Sequence, residues 1–117
     1  MNVITVAKKI ATALYDMKAL DVRVLDVRKI TSIADVIIIA SGRSDRHLRA
    51  LADAAAETAR SCKLRVLGTE GERTGEWVLV DMGDIIVHAM HPTARAYYQL
   101  EKLWSDGARA VAVSKQR

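Results

Sequence analysis

The stretch Glu76–Met90, EWVLVDMGDIIVHAM, decides the fold of this chain. Two β-rich runs, 76–81 and 84–90, flank a short turn around Met82 and Gly83, which predicts a β-hairpin. Because side chains alternate across a strand, the pairing fixes which residues share a face. One face carries only apolar residues and should be the core side: Val78, Val80, Ile85, Val87 and Ala89. The other face is mixed and carries Trp77, Leu79, Asp81, Asp84, Ile86 and His88.

The mixed face of the hairpin allows two interpretations. An indole and aliphatic side chains beside carboxylates and an imidazole are typical of a protein interface, where an aromatic anchor is surrounded by charges. Alternatively, a helix covers Trp77 and Leu79 while the turn merely exposes its aspartates. The hairpin alone leaves both interpretations open.

The rest of the chain predicts helices and further strands around this hairpin. Residues 35–40 form an uninterrupted β-branched run, which is typical of a strand covered on both faces. Ser44 is a good N-cap for a helix that continues to Cys62. Periodicity and turn residues predict the other elements: a helix over 2–19, strands over 22–27 and 64–67, a Gly- and Glu-rich loop over 68–75, and a last helix over 93–104 that begins after Pro92 and has Tyr97, Leu100 and Trp104 on its inner stripe.

This order of elements predicts a single α/β domain with a mixed sheet of about five strands and flanking helices. We expect the domain to fill residues 1–117, with its core at about 3–105 and a short polar C-terminal tail. A chain of 117 residues, 50% of them hydrophobic, can bury a sufficient core without a metal or a disulfide.

Composition and charge narrow the class of protein. No apolar run approaches the roughly 18 residues of a membrane span, the N-terminus does not resemble a signal peptide, and the single Cys agrees with a reducing compartment, so we expect a cytoplasmic protein. The net charge of +4 is unevenly distributed, since residues 66–91 carry −4 and the remainder carries +8. An acidic segment repels phosphate and attracts a basic protein surface, although a solvated loop would explain it equally simply.

No residue pattern points to catalysis. Cys62 and the three histidines, His47, His88 and His91, lack metal-ligand spacing, and Ser41–Ser44 matches no phosphate-binding motif. Asp81 and Asp84 could hold a metal for phosphoryl transfer, but no phosphate-binding residue accompanies them in sequence. We therefore expect no catalytic residue, no metal and no cofactor. An RNA-binding alternative would use Arg43, Arg46, Arg49, Arg60, Lys63 and Arg65, although only 4% of residues are aromatic and no stacking platform is visible.

Two stretches together resemble the ribosomal silencing factors, also called the Iojap family. They are Ala34–His47 and Gly75–His88, the second continuing through His91-Pro92, Ala94-Arg95, Tyr97-Tyr98, Leu100-Glu101 and Leu103-Trp104. The resemblance covers about residues 3–105. It implies a mixed five-stranded fold related in shape to the nucleotidyltransferases but without their catalytic residues.

The resemblance also implies a function and a partner. Members of that family bind the large ribosomal subunit through its fourteenth protein, block joining of the small subunit and reduce translation in starvation or stationary phase. The positions carried over as partner-binding are Trp77, Leu79, Asp81, Asp84, His88, Tyr98 and Glu101. The resemblance implies neither a membrane nor DNA as a partner, and it allows the free protein to form a homodimer. The alternatives are a nucleotidyltransferase-related enzyme and an RNA-binding module.

Three details of that surface stay open at this level. Met82 and Met90 depart from the residues common in the family, which puts the fine contacts in doubt. Tyr97 and Tyr98 lie about 100° apart around a helix, so both cannot face the core equally.

Overall fold

The computed structural model describes residues 2–73, 76–104 and 107–113. Its strands are β1 (Leu20–Asp26), β2 (Val36–Ser41), β3 (Gly68–Glu70), β4 (Trp77–Asp81), β5 (Ile85–Met90) and β6 (Arg109–Ala110), and its helices are α1 (Val3–Asp16), α2 (Asp45–Ser61), α3 (Pro92–Tyr98) and α4 (Leu100–Leu103). These strands form one mixed sheet with the order β3-β4-β5-β2-β1-β6, in which the buried strands β2 and β5 run parallel to each other at the centre. The other neighbouring pairs are antiparallel.

Helices α1 and α2 cover one face of the sheet and form the main core with it. Each begins at a polar N-cap: Asn2 accepts the amide of Thr5, and Ser44 accepts the amide of His47. Each ends with a lysine in the left-handed conformation, Lys18 at φ 67° and Lys63 at φ 64°. In both cases the next residue donates its amide back to a carbonyl of the last helical turn, which terminates the helix.

The opposite face of the sheet is covered only in part. A smaller core forms there around the inner side chains of β2 and β5, including Ile37, Ile39 and Met90, with Ala94 of α3 and Leu100 of α4 packed against them. Helices α3 and α4 are short, so side chains of β4 and β5 that project from this face, such as Leu79 and Ile86, remain partly exposed.

The hairpin and the central strand follow the prediction. The five apolar residues of the predicted core face are at most 1% exposed, and all six residues of β2 are buried. The sheet has six strands rather than about five, because Arg109 and Ala110 in the predicted polar tail pair with β1 as an edge strand. That pairing depends on a distant strand edge, which local sequence does not reveal.

The predictions for residues 64–75 and 93–104 were partly wrong. Residues 64–67 form no strand, because Leu64 and Val66 pack onto the core directly after α2. Strand β3 lies instead within the predicted loop, whose Thr74 and Gly75 fall outside the described residues. The last helix breaks at Gln99, which adopts φ 49°, and Tyr97 is consequently 80% exposed rather than on an inner stripe.

Truncation in the central strand should be far more damaging than the same truncation in a loop. Ile38 is fully buried and Ile33 is 69% exposed. We expect Ile38→Ala to lower the free energy of unfolding by about 2 to 5 kcal/mol, since it leaves a cavity, and Ile33→Ala to change it by less than about 0.5 kcal/mol. Denaturant titration of both variants measures the difference. Equal effects would show that β2 is not the centre of the core.

Candidate partner-binding surface

A groove of about 440 Å³ lies between strands β3 and β4 and helix α3. Its apolar wall is formed by Trp77, Leu79 and Tyr98, and the carboxylate side chains of Glu70 and Glu76 lie at its edge. Gly71 and Ala94 complete the lining. We call this feature the aromatic groove. Glu70 and Glu76 belong to the acidic segment recognised in the sequence; Glu76 directly precedes Trp77, whereas pairing of β3 with β4 was needed to bring Glu70 to the groove.

Trp77 is held from two sides. Its ring Nε1 donates a hydrogen bond to His88 Nδ1 at 3.0 Å, and its ring packs against that of Tyr98 with 5.0 Å between centroids. Tyr97 in turn meets Tyr98 edge to face at 5.0 Å. The indole is only partly buried: Trp77 packs on the smaller core and also lines the groove.

His88 lies behind Trp77 rather than on the surface. Its side chain is 8% exposed, and burial lowers its pKa to about 4 from the ordinary 6.5. The imidazole is therefore neutral near pH 7, and Nδ1 can accept the indole hydrogen only if the ring proton sits on Nε2. The predicted site residue His88 thus orients the tryptophan instead of presenting itself to a partner.

Gly71 brings the β3–β4 connection against the start of β4. It adopts φ 91°, a conformation that favours glycine, and a Cβ there would collide with the backbone carbonyl of Trp77. Glycine is therefore required at this position for the wall of the aromatic groove to close. The sequence indicated a Gly-rich loop but not this contact.

Arg95 fixes helix α3 to the sheet. Its side chain is 7% exposed; Nη1 donates to the carbonyl of Asp21 at 2.7 Å and to Ser41 Oγ at 2.9 Å. Nε donates to Glu101 Oε2 at 2.9 Å, so the predicted site residue Glu101 is half of a partly buried ion pair. Arg95 therefore determines where α3 holds Tyr98. An arginine on a surface-like helix gave no sequence signal for this role.

The turn of the hairpin lies at the far end of β4 from Trp77. Asp81 Oδ1 accepts the amide of Gly83 at 2.8 Å, which stabilises the turn, whereas the side chain of Asp84 is exposed. Met82 and Met90 are at most 2% exposed. These two departures from the family pattern are therefore core residues, and they do not reach the surface.

The residues that an enzyme or an RNA-binding module would use do not come together at one place in the described structure. In the described part of the chain, no three His, Cys, Asp or Glu side chains come together as a metal site. His47 and His91 bond to the backbone where α2 and α3 begin. The six cations divide between the two ends of α2, with Arg46 and Arg60 about 20 Å apart along its axis.

The fold and this surface define a small single-domain α/β protein with a partly exposed aromatic groove. No helix among the described residues is long and apolar enough to cross a membrane. A family model described as ribosomal silencing factor during starvation matches residues 1–117. The chain belongs to the ribosomal silencing factor family.

Individual relatives agree with this assignment. A ribosomal silencing factor of Chromobacterium violaceum is 39% identical over 113 residues, covering 97% of this chain and 93% of the relative. A crystal structure of a Chromobacterium violaceum protein superposes with a TM-score of 0.86 at 38% identity, covering 100% of this chain and 98% of the other. A mouse protein named mitochondrial assembly of ribosomal large subunit protein 1 is 32% identical over 82% of this chain and 43% of its own length.

Acid should destabilise the fold through His88. As pH falls below 6.5, the unfolded histidine gains a proton while the folded one stays neutral until about pH 4. The free energy of unfolding is therefore unaffected by this group above pH 6.5, and it decreases by about 3 kcal/mol as the pH falls to 4. We expect His88→Gln, which keeps an acceptor but does not titrate, to show a correspondingly shallower loss in denaturant titrations across this range. If the unaltered chain and the His88→Gln variant lose stability equally in acid, the lowered pKa of His88 is not the cause of the loss.

Proposed function

We propose that this protein binds the large ribosomal subunit through the fourteenth protein of that subunit, blocks joining of the small subunit, and thereby reduces translation in starvation or stationary phase. The aromatic groove and the neighbouring hairpin turn are the proposed contact surface. Of the residues predicted from the sequence, Trp77, Leu79, Tyr98, Asp81 and Asp84 would face the partner. His88 and Glu101 would act from behind, by orienting Trp77 and by holding Arg95.

The observation that carries this proposal is the exposed aromatic pair within an acidic surrounding. Tyr98 is 56% exposed and lies against a partly exposed Trp77, with Glu70 and Glu76 at the groove edge. Tryptophan and tyrosine in such positions are the residues that most often dominate protein interfaces. The carboxylates complement a basic protein surface, whereas they would repel the phosphates of bare RNA.

Family membership supports the ribosome as the partner. The matching family is described by ribosome silencing, and the mouse relative carries the large ribosomal subunit in its name. Silencing by steric exclusion would require only that the chain occupy a surface that the small subunit needs. Such a role demands affinity and bulk rather than catalysis, which suits a surface built from aromatic and acidic side chains.

Removal of the tryptophan should abolish most of the binding. We expect Trp77→Ala to weaken binding to purified large subunits by about 2 kcal/mol, roughly thirtyfold, because it deletes the anchor of the groove. The indole also packs on the smaller core, so the unfolding free energy of each variant should be measured beside its affinity.

Two further variants separate binding from stability. Tyr98→Ala removes a more exposed groove residue and should weaken binding with little change in stability. Leu103→Ala removes a 71% exposed side chain outside the groove lining and should leave binding unchanged. If Trp77→Ala and Tyr98→Ala both bind as tightly as the unaltered chain, the groove is not the contact surface.

Charge reversal at the hairpin turn should weaken the same complex in a salt-dependent manner. Asp84 is exposed and makes no side-chain ion pair with any described residue. We expect Asp84→Lys to slow association and reduce affinity by about five- to tenfold at low salt, and by less at high salt. Asp53→Lys, on the exposed face of α2, changes the net charge equally and serves as the control. Equal losses in both variants would indicate a general charge effect instead of a contact.

A further inference from the structure

Three cations cluster where helix α2 ends. Arg60 lies in the last turn of α2, Lys63 follows its C-cap, and Arg65 follows two residues later; all three are exposed. We call these three residues the basic patch. Leu64 and Val66, which alternate with them, pack inward on the main core. The outward side of this segment therefore presents positive charge and long flexible side chains.

The side chains of the basic patch are not paired with carboxylates in the described part of the fold. Some other cations of the chain are engaged: Arg28 pairs with Asp26 at 2.7 Å, and Arg95 pairs with Glu101 at 2.9 Å. At the start of α2, Arg49 Nη1 lies 3.6 Å from Asp45 Oδ2. Among residues 2–73, 76–104 and 107–113, the side chains of the basic patch form no ion pair.

A purely structural role explains only part of this patch. Arg60 and Lys63 lie beside the negative end of the α2 dipole, where cations contribute about 0.3 to 1 kcal/mol each. Lys18 occupies the equivalent left-handed position after α1, so a lysine there is a feature of both helix ends. Arg65 lies beyond the end of the helix, so the helix dipole does not explain its presence.

The basic patch adjoins the proposed contact surface. Two residues after Arg65, the amide of Leu67 donates to the carbonyl of Asp81 at 2.7 Å. The patch is therefore at the same end of the sheet as the hairpin turn and its carboxylates. The cations at the start of α2 lie at the opposite end of that helix.

We propose that Arg60, Lys63 and Arg65 bind phosphate groups of the RNA of the large ribosomal subunit, beside the protein contacted by the aromatic groove. This inference rests on the proposed function and adds an RNA contact to it. Ribosomal proteins are surrounded by RNA, so a factor docked on one of them has phosphates at its margin. The outward side of the patch is cationic and lacks the aromatic anchors of a protein interface, which favours a polyanionic backbone.

The experiment compares two triple variants with equal loss of charge. One is Arg60→Gln, Lys63→Gln, Arg65→Gln; the control is Lys8→Gln, Lys9→Gln, Lys18→Gln, which removes three exposed cations of α1 and its C-terminal end. Both sets include one lysine in the left-handed position after a helix, so their effects on helix termination match. Affinity is measured for intact large subunits and for the isolated fourteenth protein, between 50 and 200 mM salt.

We expect the basic-patch variant to bind the isolated protein normally and intact subunits more weakly. Three lost phosphate contacts correspond to a salt slope smaller by about 2.1 to 2.7, so the fall in its affinity over this salt range should be about twenty to forty times smaller than that of the unaltered chain. The control variant should retain the full slope.

Other outcomes overturn the inference in distinguishable ways. Salt slopes reduced equally in both triple variants would show diffuse attraction. An unchanged salt slope in the basic-patch variant would show that the patch touches no phosphate. A loss of binding to the isolated protein as well would place the patch in a protein contact. If the unaltered chain binds neither probe, the proposed function fails and this inference fails with it.

Discussion

The parallel pairing of β2 with β5 is the constraint on which the rest of this structure depends. Parallel neighbours cannot be joined by a tight turn, so the chain must cross over between them, and here that crossover contains α2, β3 and β4. The crossover places α2 on one face and returns β4 along the outer edge of β5. Both central strands are therefore largely buried on two sides, and Trp77 of β4 emerges where helical cover on the second face is incomplete.

The candidate surface combines exposed contact residues with buried residues that orient them. Trp77 and Tyr98 supply area, while His88 bonds to the indole and Arg95 anchors the helix that carries Tyr98. Such a supporting layer limits the rotamers of large side chains before a partner arrives, which reduces the ordering that binding would otherwise require. His88 and Arg95, which make these hydrogen bonds, thus lie beneath the surface instead of on it.

Charges of both signs lie at the hairpin-turn end of the sheet. Asp84 is exposed in the turn, and the three exposed cations of the basic patch lie nearby at the end of α2. A uniformly basic surface would bind nucleic acid indiscriminately, and an acidic one would be repelled from RNA. A surface with carboxylates and cations at one end of the sheet suits a basic protein that is surrounded by RNA phosphates.

The sequence by itself determined the hairpin, the central strand and the assignment to one face of Trp77, Leu79 and Asp81, because alternation and β-branched runs are local signals. It also located the acidic segment. Only the tertiary structure decided that His88 is buried, that Glu101 holds Arg95, and that Glu70 lines the groove together with Trp77, since burial and side-chain contacts depend on which elements cover one another. The edge strand β6 was hidden for the same reason, because it pairs with β1, which lies far away in the chain.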